Sequence, residues 1–167
     1  SDGGNVAKVA IYGSSMTLAS LPDWQRFTEL NYYGARDVHS FSRDPAFASP
    51  ANGDFHLRSY GGRWQPSSGT WVTDSDAHSL CIDTADPNFY TNDLNVEPTP
   101  NGGRKNIGAY GGSSEASMSA PGRVLLALAP DLGQDPMEQQ PLYWTASGRG
   151  WLTGDTVRLE YSLDGGA

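Results

Sequence analysis

The spacing of hydrophobic residues predicts one amphipathic helix near the start of the chain. In "SLPDWQRFTEL", residues 20–30, apolar side chains recur every three positions, which places them on one stripe of a helix. Ser20 and Asp23 have the spacing of a capping box, and Pro22 is tolerated in a first helical turn. The helix follows a short strand predicted for "KVAIY", residues 8–12. The members of the stripe are Leu21, Trp24, Phe27 and Leu30.

Later segments alternate with the period of a β-strand. Phe55 and Leu57 are expected on one face, with His56 and Arg58 on the opposite, solvent-facing side. The apolar run "VLLALA", residues 124–129, predicts a buried strand.

Three short apolar segments centred on Phe55, Ile82 and Ile107 recur at separations of 27 and 25 residues. Repeats of this length are typical of units that stack on one another. Strands of a hairpin meander recur every ~8–12 residues. The spacing therefore favours a parallel β-solenoid.

The stretch "NGGRKNIGAYGG", residues 101–112, poses a question of its own because its glycines could form a phosphate-binding loop. Such a loop lies between a strand and a helix, whereas these glycines flank a predicted strand and no helical pattern follows. We expect the glycines to provide positive-φ corners where a coil of the solenoid turns.

The order of these motifs resembles a known family. "DPAFASPANGDFHLRS", "GRWQPSSGTWVTD", "SLCIDTADPN" and "EPTPNGGRKNIGAYGGSSEAS" are similar to the C-terminal coils of secreted bacterial right-handed parallel β-helix proteins of the pectate-lyase-like superfamily. The resemblance covers about residues 8–119. Relatives usually have Gly where this chain has Ala85.

The C-terminal segment "PLYWTASGRGWLTGDTVRLEYSLDGG" resembles the opening strands of an immunoglobulin-like β-sandwich. The expected fold is therefore all-β: the last coils of a parallel β-helix with one short helix over residues 1–119, then a linker and an incomplete sandwich over 120–167. Both ends suggest a fragment of a larger protein, and the resemblance implies that this protein is secreted or attached to the surface of a bacterium.

Composition narrows the classes of partner. The chain has 167 residues and a formal net charge of -8, which disfavours nucleic acid because phosphate neutralisation needs a basic surface. No apolar run is long enough to span a membrane. The single cysteine, Cys81, lies between Leu80 and Ile82 and is expected to be a buried structural thiol. Composition leaves the oligomeric state open.

Two groups of residues are candidates for binding. Trp64 and Trp71 flank a Pro-Ser-Ser-Gly turn in a predicted small hairpin. They either stack on sugar rings, with Arg63 as the partner of an acidic sugar, or cover the wall of the fold. Asp83 and Asp86 either hold a calcium ion or accept backbone hydrogen bonds at a turn before Pro87.

No position matches a catalytic motif of the related lyases, so no catalytic residue is assigned and no cofactor other than calcium is considered. His56 could act as a general base, but no partner for it is visible in the sequence. Two hypotheses for function remain. The chain is a non-catalytic structural or carbohydrate-interacting part of a secreted protein, or it supports a polysaccharide lyase or glycoside hydrolase whose active site lies upstream.

Overall fold

The computed structural model describes residues 7–11, 14–31, 37, 39–88, 91–127 and 144–158. One α-helix, two 3-10 helices (Pro50–Asn52 and Thr91–Val96) and eight short strands occur in these ranges. The helix is α1 (Leu21–Asn31), and the strands are β1 (Ala7–Ile11), β2 (Ser14–Leu18), β3 (Phe47–Ser49), β4 (Asp54–Leu57), β5 (Arg63–Gln65), β6 (Thr70–Val72), β7 (Arg123–Ala127) and β8 (Trp144–Gly148).

All of these strands form two-stranded antiparallel sheets, in the pairs β1–β2, β3–β4, β5–β6 and β7–β8. No parallel pairing and no solenoid sheet occur in the described part of the chain. The predicted parallel β-helix is therefore wrong. The incomplete sandwich is also wrong as a fold class, because among the described residues β7 and β8 pair only with each other.

The physical reason lies in the segments that were expected to be central strands. Residues 80–83 form a turn instead of a strand, and Asp83 has a φ of 59°, which an extended strand does not allow. Ile107 N–H donates to the Cys81 carbonyl at 2.7 Å and Ala85 N–H donates to the Lys105 carbonyl at 3.0 Å. The partners run in opposite directions along the two segments, so these bonds do not build a parallel sheet.

The helix prediction is confirmed. The Ser20 backbone N–H donates to Asp23 Oδ2 at 3.0 Å, and the Asp23 N–H donates to Ser20 Oγ at 3.2 Å, which is the reciprocal pattern of a capping box. Phe27 is buried, whereas Leu30 at the end of the predicted stripe is 75% exposed. The apolar stripe therefore covers only the first two turns of α1.

The main hydrophobic cluster is small. Leu57, Cys81 and Ile82 are buried together, and the prediction that Cys81 is a buried thiol is confirmed. Burial raises the pKa of this thiol, which favours the unreactive protonated form. Three partly buried side chains pack around the cluster: Phe41, Phe47 and Ile107.

The C-terminal part gives a mixed outcome. A strand was predicted for residues 124–129, and β7 occupies most of that range, but Leu125 is 43% exposed rather than buried. Residues 155–158, within the segment expected to form sandwich strands, are not in a strand, and residues 159–167 lie outside the described residues. The division of the chain at residue 119 stays a prediction.

Four of the five glycines of residues 101–112 have the predicted positive φ, with values of 58° at Gly102, 74° at Gly103, 132° at Gly108 and 76° at Gly112. Gly102 has a second constraint. A Cβ atom at this position would lie 2.4 Å from Asp83 Oδ2, whereas a Cβ at Gly103 would meet nothing within 4 Å.

This difference makes a matched pair of variants. We expect Gly103→Ala to lose about 1–2 kcal/mol of unfolding free energy from backbone strain alone. Gly102→Ala should lose about 1–3 kcal/mol more, because its methyl group must displace the buried Asp83 carboxylate. Urea denaturation of both variants measures the difference, and equal losses would contradict the close approach of Gly102 to Asp83.

Candidate functional site

The predicted small hairpin is confirmed as the pair β5–β6, with Arg63 opposite Val72, Trp64 opposite Trp71 and Gln65 opposite Thr70. Its loop closes with a hydrogen bond from the Gly69 N–H to the Gln65 carbonyl at 2.9 Å. Gly69 has a φ of 63°, a conformation that glycine adopts without steric cost. We call residues 63–72 the tryptophan hairpin.

Trp64 and Trp71 lie on the same face of this hairpin because they are cross-strand partners. Their ring centroids are 5.7 Å apart in an edge-to-face arrangement with an interplanar angle of 64°. Trp71 is 37% exposed and Trp64 is half-buried. The pair therefore combines internal support for both rings with an aromatic surface open to solvent.

Arg63 lies on the opposite face of the hairpin, since neighbouring residues in a strand alternate between faces. Its Nε donates to Asp74 Oδ2 at 3.1 Å, and its Nη1 lies 3.8 Å from Asp54 Oδ2. The Arg63 side chain is only 13% exposed. The structure therefore brings Trp64 and Trp71 together and does not place Arg63 beside them.

Arg63 belongs to a series of contacting ionisable side chains that begins on this opposite face and continues on both sides of the hairpin. Asp74 also accepts from Arg58 Nε at 3.4 Å, and Arg58 Nη2 pairs with Asp76. At the other end, Asp54 Oδ1 lies 2.6 Å from His56 Nδ1. In spatial order the members are Glu115, His56, Asp54, Arg63, Asp74, Arg58 and Asp76.

The hairpin is joined to the rest of the protein through Ser59. The Ser59 hydroxyl donates to the Met118 carbonyl at 2.6 Å and accepts from the Gly61 and Gly62 N–H groups at 2.9 and 3.2 Å. Its backbone N–H donates to Asp74 Oδ2 at 2.9 Å. Ser59 therefore stabilises the turn that precedes β5 and joins the hairpin to the backbone at Met118 by a hydrogen bond.

The prediction that His56 faces solvent is wrong. His56 is 1% exposed, and Phe55, expected inside, is 44% exposed. His56 Nδ1 faces Asp54 Oδ1, Nε2 lies 3.3 Å from Glu115 Oε2, and the ring stacks on Tyr110 with centroids 3.7 Å apart. Both nitrogens already face carboxylates, so neither is free to take a proton from a substrate.

A cavity of about 10 Å³ lies beside Tyr110, between the Phe55 and Ile107 segments. It has room for about one water molecule. This cavity therefore offers no space for an organic ligand.

Asp83 and Asp86, the candidate calcium ligands, have separate partners. The Asp83 carboxylate accepts from Ser119 Oγ at 3.0 Å and from the Gly148 N–H at 3.3 Å. Asp86 Oδ1 accepts from the Asn88 N–H at 2.8 Å, so Asp86 closes a local turn, which contains Pro87 instead of preceding it. Asp86 also lies 3.4 Å from His39 Nε2.

Within the described ranges, no group of three or more His, Cys, Asp or Glu side chains could hold a metal ion. The same ranges contain no helix that is long and apolar enough to cross a membrane.

The densest buried polar cluster is centred on Glu97 and Asn106. Glu97 is 4% exposed, and its Oε1 accepts from the N–H groups of Asn106 and Gly112 at 3.2 and 2.6 Å. The Asn106 side chain in turn accepts from the Asp83 N–H at 2.9 Å and donates to the Ser117 carbonyl at 2.7 Å. Together these side chains bind four backbone groups of three separate loops.

Burial raises the pKa of both acids in this cluster. Removal of Glu97 from water is the main cause of its raised pKa, and its hydrogen bonds from Gly112 and Asn106 offset part of the shift. Desolvation likewise raises the pKa of Asp83, against the bonds from Ser119 and Gly148 and the charge of Arg104.

Sequence reasoning missed Glu97, Asn106 and Glu115. They lie in irregular segments rich in Gly, Pro and Ser, where no period indicates which side chains turn inward. The one available signal was that the acidic residue Glu97 directly precedes the Pro- and Gly-rich segment 98–103. Backbone N–H groups in such a segment lack sheet partners.

The other histidine of this region, His78, has a structural position. Its Nδ1 accepts from the Tyr60 N–H at 3.2 Å, and its ring stacks on Tyr60 at 5.2 Å. Burial lowers the pKa of His78, so the neutral ring is the favoured form.

Comparisons with known proteins found no protein-family model, curated protein or solved structure that matches this chain. The function proposed below is therefore argued from the residues of this chain.

The raised pKa of Glu97 predicts a pH dependence of stability. Its contribution is complete below the ordinary value of 4.5 and is lost as the pH rises through the higher folded-state pKa, because the charged form is poorly solvated. In Glu97→Gln the amide oxygen of glutamine can accept the same two hydrogen bonds without a titratable proton. We expect this variant to lose less stability between pH 4.5 and neutral pH than the parent. Thermal denaturation across this range measures the slope.

Two controls accompany this experiment. Glu29→Gln removes an exposed charge on α1 and should leave the slope unchanged. Glu97→Ala should destabilise at every pH by about 1–3 kcal/mol for each buried N–H left without an acceptor. An unchanged slope in Glu97→Gln would contradict the assignment.

Proposed function

We propose that this protein is a non-catalytic structural and carbohydrate-interacting part of a secreted or cell-surface bacterial protein, and that the tryptophan hairpin carries its sugar-contacting surface. One observation carries the proposal: Trp64 and Trp71 are in edge-to-face contact on one face of a two-stranded hairpin, and Trp71 is partly open to solvent.

An indole ring suits this function because the C–H groups on one face of a sugar ring are apolar and pack against an aromatic face. The loop of the hairpin, residues 66–69, is exposed and uncharged, and it supplies polar groups at the end of the aromatic surface. Gln65 and Thr70 lie on the Arg63 face, because they alternate with Trp64 and Trp71 along the strands. A few polar groups beside an apolar surface are the usual composition of a small-ligand site.

The structural half of the proposal is supported by the buried polar contacts. Ser59, Glu97 and Asn106 bind backbone groups of neighbouring loops. These hydrogen bonds hold the loops next to the hairpin in one arrangement. They therefore reduce the conformational entropy that ligand binding would cost.

The expected location rests on a different kind of support. The resemblance of the motif order to secreted bacterial proteins supports a secreted or cell-surface location, and no structural observation enters that part of the proposal.

A glycan-array screen followed by titration calorimetry tests the proposal. We expect Trp71→Ala to weaken binding of any glycan that the parent binds by at least about tenfold, equivalent to about 1.4 kcal/mol. The reason is the loss of the exposed ring of the pair. Trp144→Ala is the matched control, because Trp144 is 49% exposed on β8 and should retain full affinity.

Absence of glycan binding by the parent chain would contradict carbohydrate interaction. An equal loss in Trp144→Ala would show that binding does not occur at the tryptophan hairpin.

A further inference from the structure

The charge distribution around the tryptophan hairpin carries information about the class of glycan. Between residues 64 and 72, in "WQPSSGTWV", the chain has no charged residue. The polar groups of this segment are its hydroxyl and amide side chains together with the backbone of the loop, whose residues 66–69 are exposed.

The nearest cation in sequence is not available to a ligand on the tryptophan face. Arg63 points to the opposite face, where its Nε binds Asp74 at 3.1 Å and its Nη1 lies 3.8 Å from Asp54. To reach an anionic sugar beside Trp64, Arg63 would have to leave a largely buried ion pair, which would leave the Asp74 carboxylate without that partner.

The surrounding charges also oppose an anion. On the opposite face, two arginines, Arg58 and Arg63, are paired with three carboxylates, those of Asp54, Asp74 and Asp76. The whole chain carries a formal net charge of -8. A uronate would therefore meet an unfavourable field and find no free cation on the hairpin.

We propose that the tryptophan hairpin binds neutral glycans and discriminates against uronate-containing ones. This inference rests on the proposed carbohydrate-interacting function and replaces the sequence-based expectation that Arg63 is the partner of an acidic sugar. Ring stacking on Trp71 supplies the apolar contact, and the exposed, uncharged loop of residues 66–69 exchanges hydrogen bonds with sugar hydroxyls.

Titration calorimetry with two sets of probes tests the inference. The neutral set is cellohexaose, xylohexaose and mannohexaose, and the acidic probe is hexagalacturonate. At about 0.15 M salt, where exposed charges are screened beyond ~8 Å, we expect at least one neutral probe to bind at least about tenfold more tightly than hexagalacturonate. The affinity for the neutral probe should change little as the salt concentration varies.

A gain-of-affinity variant sharpens the test. Ser67 is exposed at the tip of the loop, and Ser67→Lys places a cation beside the tryptophan face. We expect it to raise the affinity for hexagalacturonate at least about threefold at low salt through opposite-charge attraction, with the affinity for the neutral probe unchanged. Ser67→Gln, similar in length but uncharged, should have no such effect.

The outcomes separate the two proposals. Preferential binding of hexagalacturonate by the parent would overturn the neutral class and leave carbohydrate interaction standing. An unchanged uronate affinity in Ser67→Lys would overturn the absence of charge on the loop as the cause of the discrimination. Binding of neither set, with the chain folded by circular dichroism, would overturn both proposals. Neutral preference together with the Ser67→Lys gain supports both.

Discussion

The backbone of a chain with little sheet must find its hydrogen-bond partners elsewhere, and here buried side chains provide them. Glu97 accepts from two backbone N–H groups, and Asn106 bridges the Asp83 N–H and the Ser117 carbonyl. A backbone group buried without a partner costs about 1–3 kcal/mol, so these few residues determine which loops can lie together. The small apolar cluster around Ile82 packs among the loops that they hold.

The same device positions the candidate site. Ser59 binds the turn before β5 and the Met118 carbonyl, and Asp74 binds the Ser59 N–H and the Arg63 guanidinium. These contacts occupy the inner face of the tryptophan hairpin and leave Trp71 on the outer one. The series of contacting ionisable side chains from Glu115 to Asp76 therefore stabilises the position of the hairpin. His56 is buried within this series, with a carboxylate beside each ring nitrogen.

The local parts of the candidate site followed from the sequence. The Pro-Ser-Ser-Gly turn between two tryptophans predicted the hairpin, because its loop length and its glycine fix the pairing of Trp64 with Trp71 over a few residues. The partners of Arg63 did not follow, since Asp54 and Asp74 approach it from β4 and from the segment after β6. The inward position of His56 depends on Glu115, which is 59 residues away.

The sequence by itself determined the elements whose causes are local. The capping box begins α1 at Leu21, four glycines of residues 101–112 take positive φ, and Asp86 closes a turn that contains Pro87. Each of these features requires only neighbours within a few residues. Only the tertiary structure decided how the segments around Phe55, Ile82 and Ile107 associate. Their spacing suits stacked parallel coils. In the structure, however, side chains from distant loops bind the backbone groups that such coils would pair. Residues 80–83 form a turn instead of a strand, with Asp83 at positive φ. The spacing of hydrophobic residues shows which residues are apolar. It does not show which backbone groups find hydrogen-bond partners, and those hydrogen bonds decided how the segments associate.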